Sequence, residues 1–217
     1  MIPLKIKAIA FFIKKGDRVV DIGCDHAYLG IYLKENNLCK SVISSDINEH
    51  ALENAISNIK RCKLDKEIKC VLSDGFDNLD NNDYDTVVIA GMGTKTIKEI
   101  LNNKEKLKGV KKIILSSNNE QYELRKYMQK QGYTLDDDKI IYEKNHYYVI
   151  SKYVLGKQKL SKSELLYGLI KNDKTGYYNY LFNENRKILK KIPFTKFKRR
   201  YKLRKENKIL KKLIKIK

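Results

Sequence analysis

Apolar residues along the chain fall into short runs that end on glycine or an acidic residue, and most runs are followed by a stretch with helical spacing. Residues 19–23, Val-Val-Asp-Ile-Gly, read as a strand ending in a glycine turn, with a helix over 27–36 behind it. Residues 41–46 read as a second strand ending in Asp46. A helix follows over 49–61, with Leu52, Ala55, Ile56 and Ile59 on one face and Asn48 or Asp46 as its cap. Residues 68–75 read as a third strand ending in Asp74-Gly75. The fourth, 84–93, is the most apolar and is followed by a helix over 94–103; the fifth, 111–115, has Ser116-Ser117-Asn118-Asn119 at its tip and a helix over 120–131 behind it. This repeated strand–helix order predicts a parallel sheet with helices on both faces.

The rhythm then changes. Residues 139–143 and 146–154 are two strand-like runs joined only by Lys144-Asn145, a link short enough to make an antiparallel hairpin. At the other end, Leu4, Ile6, Ile9, Phe12 and Ile13 recur with helical spacing and predict a covering helix over 1–15. From Ser161 the pattern is helical again, with Leu165, Leu166, Leu169 and Ile170. A turn is expected at Tyr177-Tyr178-Asn179-Tyr180, with the tyrosines packing between arm and domain. Ile188 and Leu189 follow, then a break at Pro193, then a last stretch carrying Leu203, Ile209, Leu210, Leu213 and Ile214. Such sparse apolar stripes pair with one another, which predicts a helical, coiled-coil-like arm. The expected domains are therefore residues 1–155 and 156–217.

Charge separates the same two parts. Residues 157–217 hold 21 of the 46 Lys and Arg but only 4 of the 26 Asp and Glu, so nearly all of the net +20 lies in the arm. A field of that strength attracts polyanions, and nucleic acid is the expected partner. Lys190, Lys191, Lys196, Lys198, Arg199, Arg200 and Lys202, interleaved with Phe197 and Tyr201, suit phosphate contacts better than a membrane surface. The four cysteines, at 24, 39, 62 and 70, have no CxxC spacing, which predicts neither a zinc site nor a disulfide framework and fits a reducing, cytoplasmic compartment. No apolar run approaches the roughly 18 residues that span a bilayer. A monomer with no metal and no membrane contact is expected.

Candidate chemistry gathers at the strand ends, where ligands bind in such sheets. The turn at Gly23 lets backbone approach a ligand, Asp46 ending the second strand suits two ribose hydroxyls, and Asp74 before Gly75 suits an adenine amino group. A GxGxxG is missing, and Asp25 would repel a pyrophosphate, so a nicotinamide enzyme is disfavoured. Asp25, His26 and Tyr28 crowd the same tip, with capping and packing as their alternative roles.

The stretch Asp21-Ile-Gly-Cys-Asp-His-Ala-Tyr-Leu29, together with Ile89-Ala-Gly-Met-Gly93, resembles the TrmK family of bacterial tRNA adenine-N1 methyltransferases. The chain departs from the family pattern at Gly30, where the family has proline, at Thr94, where it has glycine, and at Ser116-Ser117, where Gln-Pro precedes the asparagine that is Asn118 here. The resemblance implies a Rossmann-like class I methyltransferase domain, α/β with a terminal antiparallel hairpin. It also implies S-adenosylmethionine as cofactor and tRNA as partner, with transfer to N1 of an adenine in the D arm, position 22. It implies cofactor contacts by Asp21, Gly23, Cys24, Asp46, Ile47, Asp74, Gly75 and Ala90. Catalytic roles fall to Asp25, His26, Tyr28, Gly91 and Asn118, and substrate contacts to Met92, Gly93, Lys190, Lys191, Lys198, Arg199 and Arg200. Other classes stay open at this point: a methyltransferase of another nucleotide, a protein or a small molecule, and a noncatalytic RNA-binding protein.

Overall fold

A computed structural model describes residues 2–169 and 174–215. The chain divides into two compact units, Met1–Ser161 and Lys162–Lys217.

In the first unit, α1 (Leu4–Ala10) precedes β1 (Arg18–Ile22), α2 (Tyr28–Glu35), β2 (Ser41–Asp46), α3 (Glu49–Arg61), β3 (Ile68–Leu72) and β4 (Thr86–Met92). Then come α4 (Thr94–Leu101), β5 (Lys112–Ser117), α5 (Gln121–Lys130), β6 (Tyr133–Glu143) and β7 (His146–Leu155). The seven strands form one sheet in the order β3-β2-β1-β4-β5-β7-β6. The first five are parallel, and β7 joins β5 and β6 antiparallel. This is the expected architecture: the chain runs outward from β1 to β3, then restarts at β4 on the other side of β1. That reversal opens a crevice at the carboxyl ends of β1 and β4.

Burial explains why these runs became strands. Val19, Val20, Val87, Val88, Ile89, Ile113 and Ile114 are fully buried, as a sheet covered on both faces requires. Asn48 caps α3, its side chain accepting from the Ala51 N–H at 3.1 Å.

Three elements differ from expectation. Helix α1 stops at Ala10 rather than near residue 15; Phe12 and Ile13 are buried in the turn that follows, held by their N–H groups to the carbonyls of Ile9 and Ala10. Strand β6 begins at Tyr133, six residues early, because a bulge between Leu135 and Asp137 carries the acidic run 136–138 through the strand. Tyr177, Tyr178 and Tyr180 lie in a helix, Thr175–Lys191, rather than a turn.

The second unit holds α6 (Lys162–Tyr167), α7 (Thr175–Lys191) and α8 (Phe197–Lys215), with Pro193 in the break between the last two. Helices α7 and α8 run antiparallel: Tyr178 packs with Leu210 and Leu213, and Asn185 Nδ2 donates to Asn207 Oδ1 at 3.0 Å. Tyr178 thus packs within this unit, against Tyr167 at a 6.0 Å ring separation. Ile170 lies outside the described residues.

Candidate functional site

A cavity of about 400 Å³ opens at the crevice between β1 and β4. It is lined from β1 and its loop by Asp21, Gly23, Cys24, Asp25, His26 and Tyr28, from β2 by Asp46, and from β4 by Ala90, Gly91 and Met92. Ten of the residues singled out from the sequence therefore meet in one place, in the size range of small-ligand pockets, about 300–1,000 Å³.

The β1 loop is held in an unusual backbone path. The N–H groups of Gly23 and Cys24 both donate to the Ser45 carbonyl, at 2.8 and 3.0 Å. Gly23, Asp25 and Ala27 have φ of +77°, +50° and +55°. Left-handed conformations at two non-glycine residues are a local cost that surrounding bonds must hold. One such bond is visible: the Asp25 N–H donates to Asp46 Oδ2 at 3.1 Å, while the other oxygen of Asp46 accepts from the Asn48 N–H at 3.0 Å. Each carboxylate oxygen keeps a further acceptor position. A second bond runs from Asn58 Nδ2 of α3 to the His26 carbonyl at 3.1 Å.

With its backbone so fixed, Asp25 does not cap α2, whose cap position is Ala27 with no side-chain bond. Its side chain is 70% exposed, and its Oδ1 lies 3.6 Å from His26 Nε2. The His26 ring sits 5.3 Å from that of Tyr28. Carboxylate, imidazole and phenol thus form a row at the cavity mouth.

Asp21 is the buried counterpart. Burial pushes its carboxyl up to about 7; the charge of Lys5 pulls it down and that of Asp46 pushes it further up. Burial also raises the Cys24 thiol well above its ordinary range, with Asp21 and Asp46 adding to the effect, so the thiol stays protonated.

On the β4 side, the register slips between Ala90 and Met92 and leaves Gly91 bulged, at φ +90°. Asn118 pins the bulge: its Nδ2 donates to the Gly91 carbonyl at 2.7 Å, and its N–H to the Met92 carbonyl at 2.9 Å. Asn118 itself does not line the cavity, so the structure gives it a supporting position behind Gly91. Gly93 sits one step further out, at the cap of α4, where a Cβ would come within 4 Å of the Asn119 side chain. The Met92 methyl covers Gly23, where any Cβ would collide with it.

Ile47, Asp74 and Gly75 do not line the cavity. Ile47 is 64% exposed beside Asp46. Asp74 is exposed on the same sheet edge, which the Ser73 N–H ties to the Asp46 carbonyl at 2.9 Å, and Gly75 is buried against Ile100. In the second unit, Lys190, Lys191, Lys198 and Arg199 are exposed, beside Phe194 and Phe197 at 77% and 73% exposure. Arg200 has another job. Its Nη1 donates to the carbonyls of Leu189 and Ile192, at 3.0 and 2.7 Å, and closes the end of α7.

Helix α1 supplies a wall that sequence reasoning did not assign to the site: Lys5, Ile6 and Ile9. The Glu143 carboxylate at the end of β6 accepts from the N–H groups of Leu4 and Lys5, at 2.8 and 3.4 Å, and fixes the helix there. Burial lowers the Lys5 ammonium, against the opposing pull of Asp21 and Glu143. The apolar spacing of α1 was readable, but a contact across 138 residues leaves no local signal.

Among the described residues, no cluster of three or more His, Cys, Asp or Glu could hold a metal, and no helix is long and apolar enough to cross a membrane.

Residues 2–151 match the family model of a methyltransferase domain. The chain is 30% identical over 147 residues to the tRNA (adenine(22)-N(1))-methyltransferase of Bacillus subtilis, an alignment covering 67% of this chain and 62% of that protein. The match thus spans about three fifths of that relative's length. Among solved structures, M. capricolum TrmK in complex with S-adenosyl-homocysteine superposes with a TM-score of 0.85 at 30% identity, covering 99% of this chain and 98% of that one. The B. subtilis M1A22 tRNA methyltransferase TrmK gives 0.82 at 26%, covering 96% and 97%. These are the relatives to which the two sequence motifs point.

Proposed function

The chain belongs to the methyltransferase-domain family, and from that premise we propose that it transfers a methyl group from S-adenosylmethionine to N1 of adenine 22 in the D arm of tRNA. The observation that carries this reading is the convergence of the Asp21–Tyr28 loop, Asp46 and the Ala90-Gly91-Met92 bulge on one cavity. The residues fit the cofactor. Glycines with positive φ at the ends of β1 and β4 turn the backbone at the cavity without adding a side chain of their own, and Asp46 retains acceptor capacity toward a ribose. Asp74, on the neighbouring strand end, is the acceptor for an adenine amino group, with Ile47 beside it.

When bound, S-adenosylmethionine supplies a methyl group on an electrophilic sulfonium. What remains for the protein is alignment and charge. N1 lies on the Watson–Crick edge, so the adenine must leave its stack before it can react. The bulge that Asn118 holds presents backbone on which such a flat base can rest, and the Gly91 carbonyl is the acceptor assigned to its N6 amino group. Tyr28 stacks or positions the base. Methylation leaves a positive charge on the ring, which the Asp25 carboxylate stabilises, with His26 orienting Asp25 or accepting a proton. The basic, coiled-coil-like arm grips the tRNA through Lys190, Lys191, Lys198 and Arg199. Such contacts position the substrate without reading its sequence. A tRNA substrate makes this a cytoplasmic enzyme, read here as a monomer.

The test is incubation with labelled S-adenosylmethionine and unmodified tRNA, followed by digestion and mass spectrometry. N1-methyladenosine at position 22 is the expected product. Label on another nucleotide would retain the methyltransferase and discard the substrate atom; no label at all would discard both.

A further inference from the structure

Three large aromatic side chains at one end of the arm stay in solvent: Phe194, Phe197 and Tyr201, the last at 60% exposure. Exposed apolar groups clustered in this way mark an interaction site. Phe194 lies in the break after α7, with the Arg200 guanidinium 4.5 Å from its ring centre. That guanidinium is itself fixed by its bonds to the Leu189 and Ile192 carbonyls, so the phenyl ring rests on a rigid plate. Phe197 and Tyr201, four residues apart, share one face of α8, opposite the face that buries Leu210. The Lys205 ammonium stands 4.4 Å from the centre of the Tyr201 ring. Two of the three rings thus carry a cation on one side and leave most of their surface to a partner.

The chemistry around the rings selects that partner. A helix that lies on a membrane separates its apolar face from its cations. Here Arg204, Lys205 and Lys208 follow Tyr201 at helical spacing and share its outward face. A second copy of the chain is disfavoured too, because residues 187–205 hold ten Lys and Arg and no Asp or Glu, and two such ends repel. Flat rings set among cations suit an anionic partner that also has flat rings.

We propose that this end of the arm binds unpaired bases of the RNA, stacking them on Phe194, Phe197 and Tyr201. This deepens the tRNA reading and rests on it. Lysine and arginine contacts to phosphate hold any polyanion, whereas a ring face takes only a base turned out of its helix. The arm therefore recognises a loop rather than a paired stem, and its aromatic end adds a requirement for bases to the electrostatic grip.

The discriminating probes are unmodified tRNA and heparin, a polyanion without bases. Fluorescence anisotropy with each, labelled, compares the full-length wild type with the double variant Phe197→Ala/Tyr201→Ala. Loss of stacking predicts that tRNA binding weakens about tenfold or more, with its salt slope unchanged, while heparin binding stays within about twofold. Heparin binding also reports that the arm is folded. The chain has no tryptophan, so Phe197→Trp installs a single fluorophore, whose emission tRNA should quench and heparin should not. Equal weakening of both probes would make the rings a structural part of the arm and overturn the proposal, as would unchanged binding of both. A blue shift of that emission on phosphatidylserine vesicles without quenching by tRNA would make this a membrane contact, and a shift with protein concentration alone a contact between copies; either overturns it. Wild-type protein with no affinity for tRNA would overturn the substrate reading itself, and the inference with it.

Discussion

Thr94 and Ser117, two of the positions at which this chain departs from its family's motifs, are hydrogen-bonded to each other, hydroxyl to hydroxyl at 2.8 Å. Both are buried, one at the start of α4 and the other at the end of β5, and both hydroxyls also reach the Asn119 carbonyl, at 2.8 and 2.9 Å. The departures are one change in two places: a polar bridge closes the ends of β4 and β5 behind the bulge at Gly91. Buried hydroxyls are tolerated when they satisfy one another. The expected outcome is non-additivity. Thr94→Ala and Ser117→Ala should each cost about 1 kcal/mol, and the double variant less than the sum, because neither hydroxyl is then left without its partner. Urea denaturation of the four proteins in the cycle measures the coupling, and strict additivity would show the two hydroxyls to be independent.

Asp46 serves two backbones before it meets any ligand. Asp46→Asn keeps an oxygen for one of the N–H groups of Asp25 and Asn48 but turns an NH₂ toward the other, and it removes the charge. S-adenosylhomocysteine binding should weaken about tenfold to a hundredfold, the worth of one or two charge-assisted bonds. Because the Asp25 loop loses its tie at the same time, the maximal methylation rate should fall even at saturating cofactor. A binding defect with an intact rate would separate Asp46 from the Asp25 loop.

The raised carboxyl of Asp21 makes a signed pH prediction. Its folded value of about 7 lies above the ordinary 3.8, so the folded protein holds this proton more tightly than the unfolded chain does. The stability the group contributes is full below about pH 4 and is lost as pH rises through 7. Asp21→Asn should therefore stabilise the free protein by an amount that grows from pH 4 to pH 8, reaching a few kcal/mol. Denaturation midpoints of the two proteins at pH 5 and pH 8.5 check this.

Neighbouring arginines in the arm should separate phosphate contacts from internal structure. Replacing Lys190, Lys191, Lys198 and Arg199 together by Ala should raise the tRNA KM. It should also flatten the dependence of log affinity on log salt by about 3 to 4, close to one per lost phosphate contact. Arg200→Ala should leave that slope unchanged and lower the melting temperature of the arm, since its guanidinium holds the last carbonyls of α7. Filter binding across a salt series, beside circular dichroism melting, distinguishes the two effects.

Much of this molecule is legible in its residues. Runs such as Val87-Val88-Ile89, bounded by turn formers, mark strands buried on both faces, and the strand–helix order then leaves few topologies. The tips of those strands led to Gly23 and Asp46, because ligands gather there in such sheets, and the family resemblance added Asp21 and Gly91. What escaped lies where sequence and contact are far apart. Lys5 is one charge in an apolar stripe until Glu143, 138 residues away, fixes its helix. The acidic run 136–138 looks like a loop until the bulge accommodates it in β6. Tyr178 sits among polar neighbours and reads as a turn until α8 supplies Leu210 and Leu213 to bury it.

The small core of the arm has a thermal consequence. Its described core is Tyr167, Tyr178, Leu210 and Leu213, whereas the sheet unit buries more than twenty residues in a single cluster. Opening free energy follows buried apolar contact, so α7 and α8 should exchange their amide hydrogens with solvent long before β1 and β4 do. On the proposed reading, a grip that opens before the sheet does would release a methylated tRNA without disturbing the crevice at β1 and β4, and the small core of the arm would then govern turnover.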